Sequence, residues 1–190
     1  MSPVTRLTLV THATTDAVQA ARFSADEPLN ALGARSVGKA GGLPGPGPAT
    51  VLYAPELRTA QTARTLGLDG IPEPALRDLD CGNWSGRPMD ALAPDQLMGW
   101  LTDPAYRAHG GEAVIDLRER IGSWLTTLTG RGERIVAITH PAVVRAAILC
   151  TLSAPAASFW RIDIPPLTAT TLHHRPPAWT LRTTAHDLTD

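Results

Sequence analysis

Two short apolar runs in this chain each end on a histidine. Leu7 to Thr15 reads Leu-Thr-Leu-Val-Thr-His-Ala-Thr-Thr, and Ile135 to His140 reads Ile-Val-Ala-Ile-Thr-His. Short aliphatic runs of this kind suit buried strands of a largely parallel sheet. In an open α/β sheet, ligands bind outside the carboxyl ends of the strands. His12 and His140 are therefore expected to face one pocket, although they lie far apart in sequence.

The segments between them alternate in the same sense. Asn30 reads as the N-cap of a helix running to about residue 40. Residues 41–48, rich in Gly and Pro, read as a loop. Thr50 to Ala54 reads as a second strand, and Pro55 and Glu56 suit the start of a helix reaching residue 66. Glu112 to Thr129 places Val114, Leu117, Ile121, Trp124, Leu125 and Leu128 on one helical face. A helix from Ala142 to Thr151 follows the second histidine. Residues 160–164, 168–172 and 179–183 alternate like strands. The pattern predicts an α/β fold, a sheet covered by helices. It is read as a single domain over residues 1–190, with a lid or insertion at 84–110.

Composition narrows the partners. The 190 residues carry a formal net charge of -1, so no global field draws nucleic acid or an anionic membrane. Neither is expected as a partner, and any anion site must be built locally. With 43% hydrophobic and 18% charged residues the chain reads as globular. No stretch approaches the length of a membrane span, and the expected location is cytoplasmic. The wealth of Ala, Gly, Pro, Thr and Arg suits a GC-rich bacterial genome. Cys81 and Cys150 belong to no CxxC pair or Cys/His cluster, so no metal site is expected. Cys150 lies in an apolar helical run and Cys81 in a turn-like segment. His109, His173, His174 and His186 read as surface or strand residues.

Arg58 falls in the first turn of the helix after the second strand, and Asp78 falls in an irregular segment. Two imidazoles and a guanidinium gathered at strand ends suit a phosphoryl group. An imidazole can take that group and later release it to water. A carboxyl group can protonate the leaving oxygen.

At this point the chain resembles the histidine phosphatase superfamily, the phosphoglycerate-mutase-like proteins. The family opens on Arg-His-Gly-x-Thr, and here the segment is Thr11-His12-Ala13-Thr14-Thr15. Its Pro-Leu-Thr-x-x-Gly resembles Pro28-Leu29-Asn30-Ala31-Leu32-Gly33. Its Ser-Pro-x-x-Arg-Ala-x-Gln-Thr-Ala resembles Ala54 to Ala63, with Arg58 in place. Its Leu-x-Glu-x-x-x-Gly-x-Trp-x-Gly is similar to Leu76 to Gly86, its Gly-Gly-Glu to Gly110-Gly111-Glu112, and its late Ser/Thr-His-Gly to Thr139-His140-Pro141. Six motifs fall in the family's order.

The resemblance implies a three-layer α/β/α fold with a mostly parallel sheet. It implies an enzyme that transfers a phosphoryl group from a small phosphomonoester to water, without metal or organic cofactor. His12 would be the phosphorylated nucleophile, Arg58 would grip phosphoryl oxygens, and His140 would stabilise transition-state charge. Asp78 matches the acid/base, with Asp80 as its neighbour in register. Thr11, Thr15 and Arg22 are the expected substrate-binding residues.

The departures cluster in the phosphate pocket. Thr11 replaces the Arg before the nucleophile and Ala13 the Gly after it. Val18 stands where mutase-type members have Asn. Asp78 is one methylene shorter than Glu, and Pro141 has no N–H to offer an anion. Loss of a buried transition-state donor slows chemistry by about 10²-fold to 10³-fold. Three readings follow: a phosphatase in which Arg22 or another cation compensates, a non-catalytic anion-binding module, or an acid/base enzyme without phosphoryl chemistry.

Overall fold

The computed structural model describes residues 3–41, 43 and 49–189, and most of the expected loop at 41–48 lies outside them. The strands are β1 (Thr5–Thr11), β2 (Thr50–Tyr53), β3 (Ile71–Pro72), β4 (Arg134–Thr139), β5 (Thr168–Arg175) and β6 (Ala178–Asp187). The helices are α1 (Asp16–Gln19), α2 (Ala31–Lys39), α3 (Leu57–Thr65), α4 (Pro94–Thr102), α5 (Val114–Thr127) and α6 (Pro141–Leu152). One sheet takes the order β3-β2-β4-β1-β5-β6. The first four of these strands run parallel, and β5 and β6 are joined antiparallel.

Successive strand residues point to opposite faces, and this chain uses both. Leu7, Leu9, Ile135 and Ala137 join a core with Leu117 and Ile121 of α5 and Val143 and Ala147 of α6. Val10, Val136 and Ile138 join a second core with Val37 of α2 and Ala63 of α3. Helices thus cover both faces, which makes the three layers and explains why β1 and β4 read as unbroken apolar runs. Sheet register then aligns the two strand ends: Thr11 pairs with Thr139, and the His12 N–H donates to the Thr139 carbonyl at 2.9 Å.

The helix signals operate as expected. The Asn30 side chain accepts the Gly33 N–H at 2.9 Å, and a Cβ at Gly33 would run into the Thr14 carbonyl oxygen. That glycine lets α2 press directly on the loop behind His12. Pro141 occupies the first turn of α6, where its missing N–H costs no helical bond.

Residues 160–164 depart from the expected strand. A 3-10 helix spans Ala156–Arg161 instead. The Trp160 ring packs 4.1 Å from that of Trp100, and its indole N–H donates to the Trp100 carbonyl at 3.1 Å. The Ile162 carbonyl is taken by the Arg145 side chain at 2.7 Å. Side-chain partners here replace a ladder. Residues 84–110 hold a 3-10 turn at Met89–Ala91 and α4, packed through a cluster of Phe23, Trp84 and Trp100. His109 is buried beneath them, 5.0 Å from Trp84 between ring centroids. No helix among the described residues is long and apolar enough to cross a membrane.

Candidate active site

Three adjacent parallel strands, β2, β4 and β1, deliver the site from their carboxyl ends. His12 follows β1, His140 follows β4, Glu56 is the N-cap of α3 after β2, and Arg58 lies in the first turn of α3. The imidazole centroids of His12 and His140 lie 5.2 Å apart. Asp78 arrives from the irregular segment, which is tied down from two sides. The Thr139 hydroxyl donates to the Leu76 carbonyl at 2.8 Å. Arg120 of α5 donates to the carbonyls of Ala75, Arg77 and Asp78, and it pairs with Glu112 at 2.7 Å.

His12 is buried, with Nδ1 2.8 Å from the Ala13 carbonyl. A carbonyl oxygen only accepts, so Nδ1 carries the proton and Nε2 keeps its lone pair. Burial, with the charges of His140 and Arg58, pulls its pKa from 6.5 to about 3. His12 is therefore a neutral imidazole at physiological pH, the form a nucleophile needs.

Arg58 is almost completely buried. One terminal nitrogen donates to the Ala25 carbonyl at 2.7 Å and the other to Asp78 at 2.6 Å. His140 is held between two carboxylates: its Nε2 lies 2.9 Å from Glu56, and its Nδ1 lies 3.4 Å from Asp78. The other Glu56 oxygen accepts the Asp78 N–H at 2.9 Å. Burial opposes ionisation of Asp78, but His140 and Arg58 outweigh it and hold the carboxyl below its ordinary range. Glu56 is likewise lowered against burial, by its bond to His140. Within the site, the buried Arg58 Nε and His140 Nδ1 make no hydrogen bond to the described residues.

Of the residues expected in the site, His12, Arg58, Asp78 and His140 come together. Asp80 does not join them. It is exposed, and its carboxylate accepts the Gly82 N–H at 2.8 Å. Arg22 lies exposed on the wall of the cavity above His12. Thr11 faces β5, donating to the Pro165 carbonyl at 2.8 Å and accepting the Thr168 N–H at 3.0 Å. Thr15 caps α1 and bonds Glu27 at 3.1 Å. Cys81 touches the cavity, but burial and the charges of Asp78, Asp80 and Glu112 push its thiol up to about 12, so it stays protonated.

Glu56 is the site residue that the sequence reading assigned only to a helix start. A carboxylate oxygen only accepts, so the Nε2 of His140 that faces Glu56 carries a proton, and the Nδ1 that faces Asp78 carries one for the same reason. Glu56→Gln should remove the first of these protons. The Asp78 N–H still needs the amide oxygen, so the NH₂ group meets Nε2 and that nitrogen must become the acceptor. The ring then offers no positive charge to transferring oxygens, and phosphoester turnover is expected to show a kcat lowered by about 10²-fold or more, with a smaller change in KM. Steady-state kinetics on the variant check this.

A family model for the histidine phosphatase superfamily (branch 1) matches residues 7–187. The chain belongs to this superfamily. It is 28% identical over 173 residues to a bifunctional protein of Mycobacterium tuberculosis, covering 84% of this chain and 48% of that one. It is 27% identical over 171 residues to a glucosyl-3-phosphoglycerate phosphatase of Mycolicibacterium vanbaalenii, covering 80% and 76%. The chain thus spans about half the length of the mycobacterial bifunctional relative. Among solved structures, a mycobacterial glucosyl-3-phosphoglycerate phosphatase superposes with a TM-score of 0.82 at 22% identity, covering 96% of this chain and 99% of that one. A putative α-ribazole-5'-P phosphatase of Escherichia coli superposes at 0.84 and 22%, covering 98% of each. These likenesses show the phosphoglycerate-mutase-like fold.

Proposed function

We propose that this chain is a phosphatase that moves a phosphoryl group from a small phosphomonoester to water through His12. The observation that carries this reading is the pair of buried donors without partners, Arg58 Nε and His140 Nδ1, beside His12. Buried donors are almost always satisfied, and a phosphoryl group supplies acceptor oxygens for both. The superfamily and the phosphatases among its relatives support the same chemistry.

In the first step His12 Nε2 attacks phosphorus, the N–P bond forms and the ester P–O bond breaks. Asp78 gives the leaving oxygen its proton. In the free protein Asp78 is a carboxylate, but a bound phosphoryl dianion adds negative charge beside it and raises its proton affinity. In the second step water attacks phosphorus, the N–P bond breaks and Asp78 takes the proton of the water. Arg58 and His140 face the oxygens on which charge accumulates. Residues 84–110 serve as the lid over the cavity, and the reaction takes place in the cytoplasm.

Rapid acid-free quenching of the protein with a radiolabelled phosphoester tests the reading. Acid-labile, base-stable label on His12 is the expected result. Turnover without label, or label that survives in His12→Asn, rejects it. The charge balance favours one rival, an anion-binding module without turnover, because Glu56 adds a second carboxylate where Thr11 has removed an arginine. Tight phosphate binding with no turnover across a phosphoester panel selects that rival.

A further inference from the structure

The cavity above His12 has a volume of about 370 Å³ and a chemistry of its own. Phosphoryl oxygens would meet His12 and Asp78 at one end. Beyond them the walls are largely apolar, with Phe23, Leu79, Met89, Trp100 and Trp160 the large side chains. Such a wall gives a sugar or polyol few partners and covers a flat apolar group well.

One cation is set into this wall. Arg145 of α6 lines the cavity, half-buried in a helix whose other residues from Ala142 to Leu149 are all apolar and buried. Its Nε donates to the Ile162 carbonyl at 2.7 Å. Its guanidinium carbon lies 5.5 Å from the centroid of Trp160 and 5.8 Å from that of Phe159. These contacts orient the planar fork without using its ends. Neither terminal nitrogen has a hydrogen bond or ion pair among the described residues. Asp163 and Asp78 act on its charge only through space. A guanidinium so held is preorganised for a carboxylate or similar anion. Arg145 also stands apart from the phosphoryl end. It lies five residues beyond His140, about 7.5 Å along the axis of α6 at about 1.5 Å per residue.

We propose that Arg145 is a specificity-determining residue and that the site takes doubly anionic substrates: phosphomonoesters with a compact apolar or aromatic body and a carboxylate at the far end. This rests on the phosphatase reading of the same site. The phosphate is held at His12, the body lies among Phe23, Trp100 and Trp160, and the carboxylate pairs with the free fork of Arg145. Arg22, at the exposed rim, adds positive charge along the entry path.

Phenyl phosphate and 4-carboxyphenyl phosphate separate these contributions, because they share a phosphoryl group and a ring. The carboxylated ester is expected to have a kcat/KM about tenfold to a hundredfold higher, the range of a charge-assisted hydrogen bond pair. In Arg145→Gln that ratio should fall to near one, chiefly through KM, and in Arg145→Lys it should recover in part. No preference in the parent protein overturns the proposal. So does an equal loss on both esters in Arg145→Gln, which would mean that Arg145 grips the phosphoryl group instead. Tryptophan fluorescence of His12→Asn provides a reading independent of turnover, since Trp100 and Trp160 line the cavity. If neither ester is hydrolysed by the parent but the carboxylated one binds His12→Asn more tightly, with the preference lost in the added Arg145→Gln change, the ligand class stands and the phosphatase reading falls. Absence of both turnover and preferential binding overturns both.

Discussion

Replacing His12 with asparagine is expected to cut phosphoester turnover by about 10⁴-fold or more and, at the same time, to make the protein more resistant to acid. The asparagine amide would stand where Nδ1 stood and can still donate to the Ala13 carbonyl, so the loop is kept while the proposed nucleophile is lost. The acid effect comes from the depressed pKa of about 3, caused mainly by burial and then by the charges of His140 and Arg58. Below pH 6.5 the unfolded chain takes up a proton at residue 12, and the folded chain does not until near pH 3. Stability is therefore complete above the unfolded value and declines as pH falls through this window. The slope is at most about 1.4 kcal/mol per pH unit, and the whole window is worth at most about 5 kcal/mol.

The carboxylates pull in the same direction but later. Glu56 and Asp78 titrate below their ordinary values of 4.5 and 3.8, so their stabilisation is lost only as pH drops beneath that range. Between about pH 6.5 and 5 the decline belongs chiefly to His12, with a residual share from His109 and His173, whose pKa values are also lowered. Thermal melts of parent and His12→Asn at about pH 7.5, 6 and 5 should diverge, with the variant's melting temperature falling less. Parallel curves would show that His12 is not held neutral in the folded protein.

The strand-end histidines were legible because buried parallel strands must be apolar on both faces, and a polar residue that ends such a run marks the sheet edge. The β1–β4 register then made their meeting unavoidable. Arg58 and Asp78 were legible through the order of the family's motifs. Glu56 was not. An acid at the start of a helix ordinarily stabilises that helix, and nothing local separates that role from the one seen. What turns its side chain to His140 is tertiary: β2 pairs with β4, and the Ala54 N–H donates to the Ile138 carbonyl. Arg145 left a fainter signal. It is a lone charge in an apolar run, and a long cation on a helix ordinarily lays its stem on apolar surface and keeps its charge in water. Thr11 shows the converse. Its neighbour in sequence is the proposed nucleophile, yet its own hydroxyl is spent on the Pro165 carbonyl and the Thr168 N–H. The strand expected at 160–164 failed because Trp160 alternates with its neighbours in hydrophobicity but packs sideways on Trp100.

Arg58→Met is expected to be the most damaging single change to the fold and the site together. Arg58 is only 1% exposed, and its 2.6 Å pair with Asp78 lies inside the carboxyl end of the sheet. Removing the guanidinium leaves the Asp78 carboxylate with only His140 and the Leu79 N–H, and it frees the Ala25 carbonyl. Breaking a buried pair by deleting one partner costs about 3–5 kcal/mol, which for a chain of this size lowers Tm by roughly 10 °C. Turnover should fall by a further route. In the proposed reaction Arg58 Nε is one of the two donors to the transferring oxygens, and loss of one such donor costs about 10²-fold to 10³-fold in kcat. The double variant Arg58→Met/Asp78→Asn separates the two effects. Without the charge on Asp78, more than half of the lost stability should return, because the penalty belongs to the stranded carboxylate and not to the missing contact area. Activity should not return, since neither the donor nor the proton carrier is restored. Equilibrium unfolding and kcat measured on the parent, both single variants and the double variant complete the cycle. Additive stability losses would mean that the Arg58–Asp78 pair contributes nothing as a pair, and that the buried guanidinium is held by the Ala25 carbonyl and packing alone.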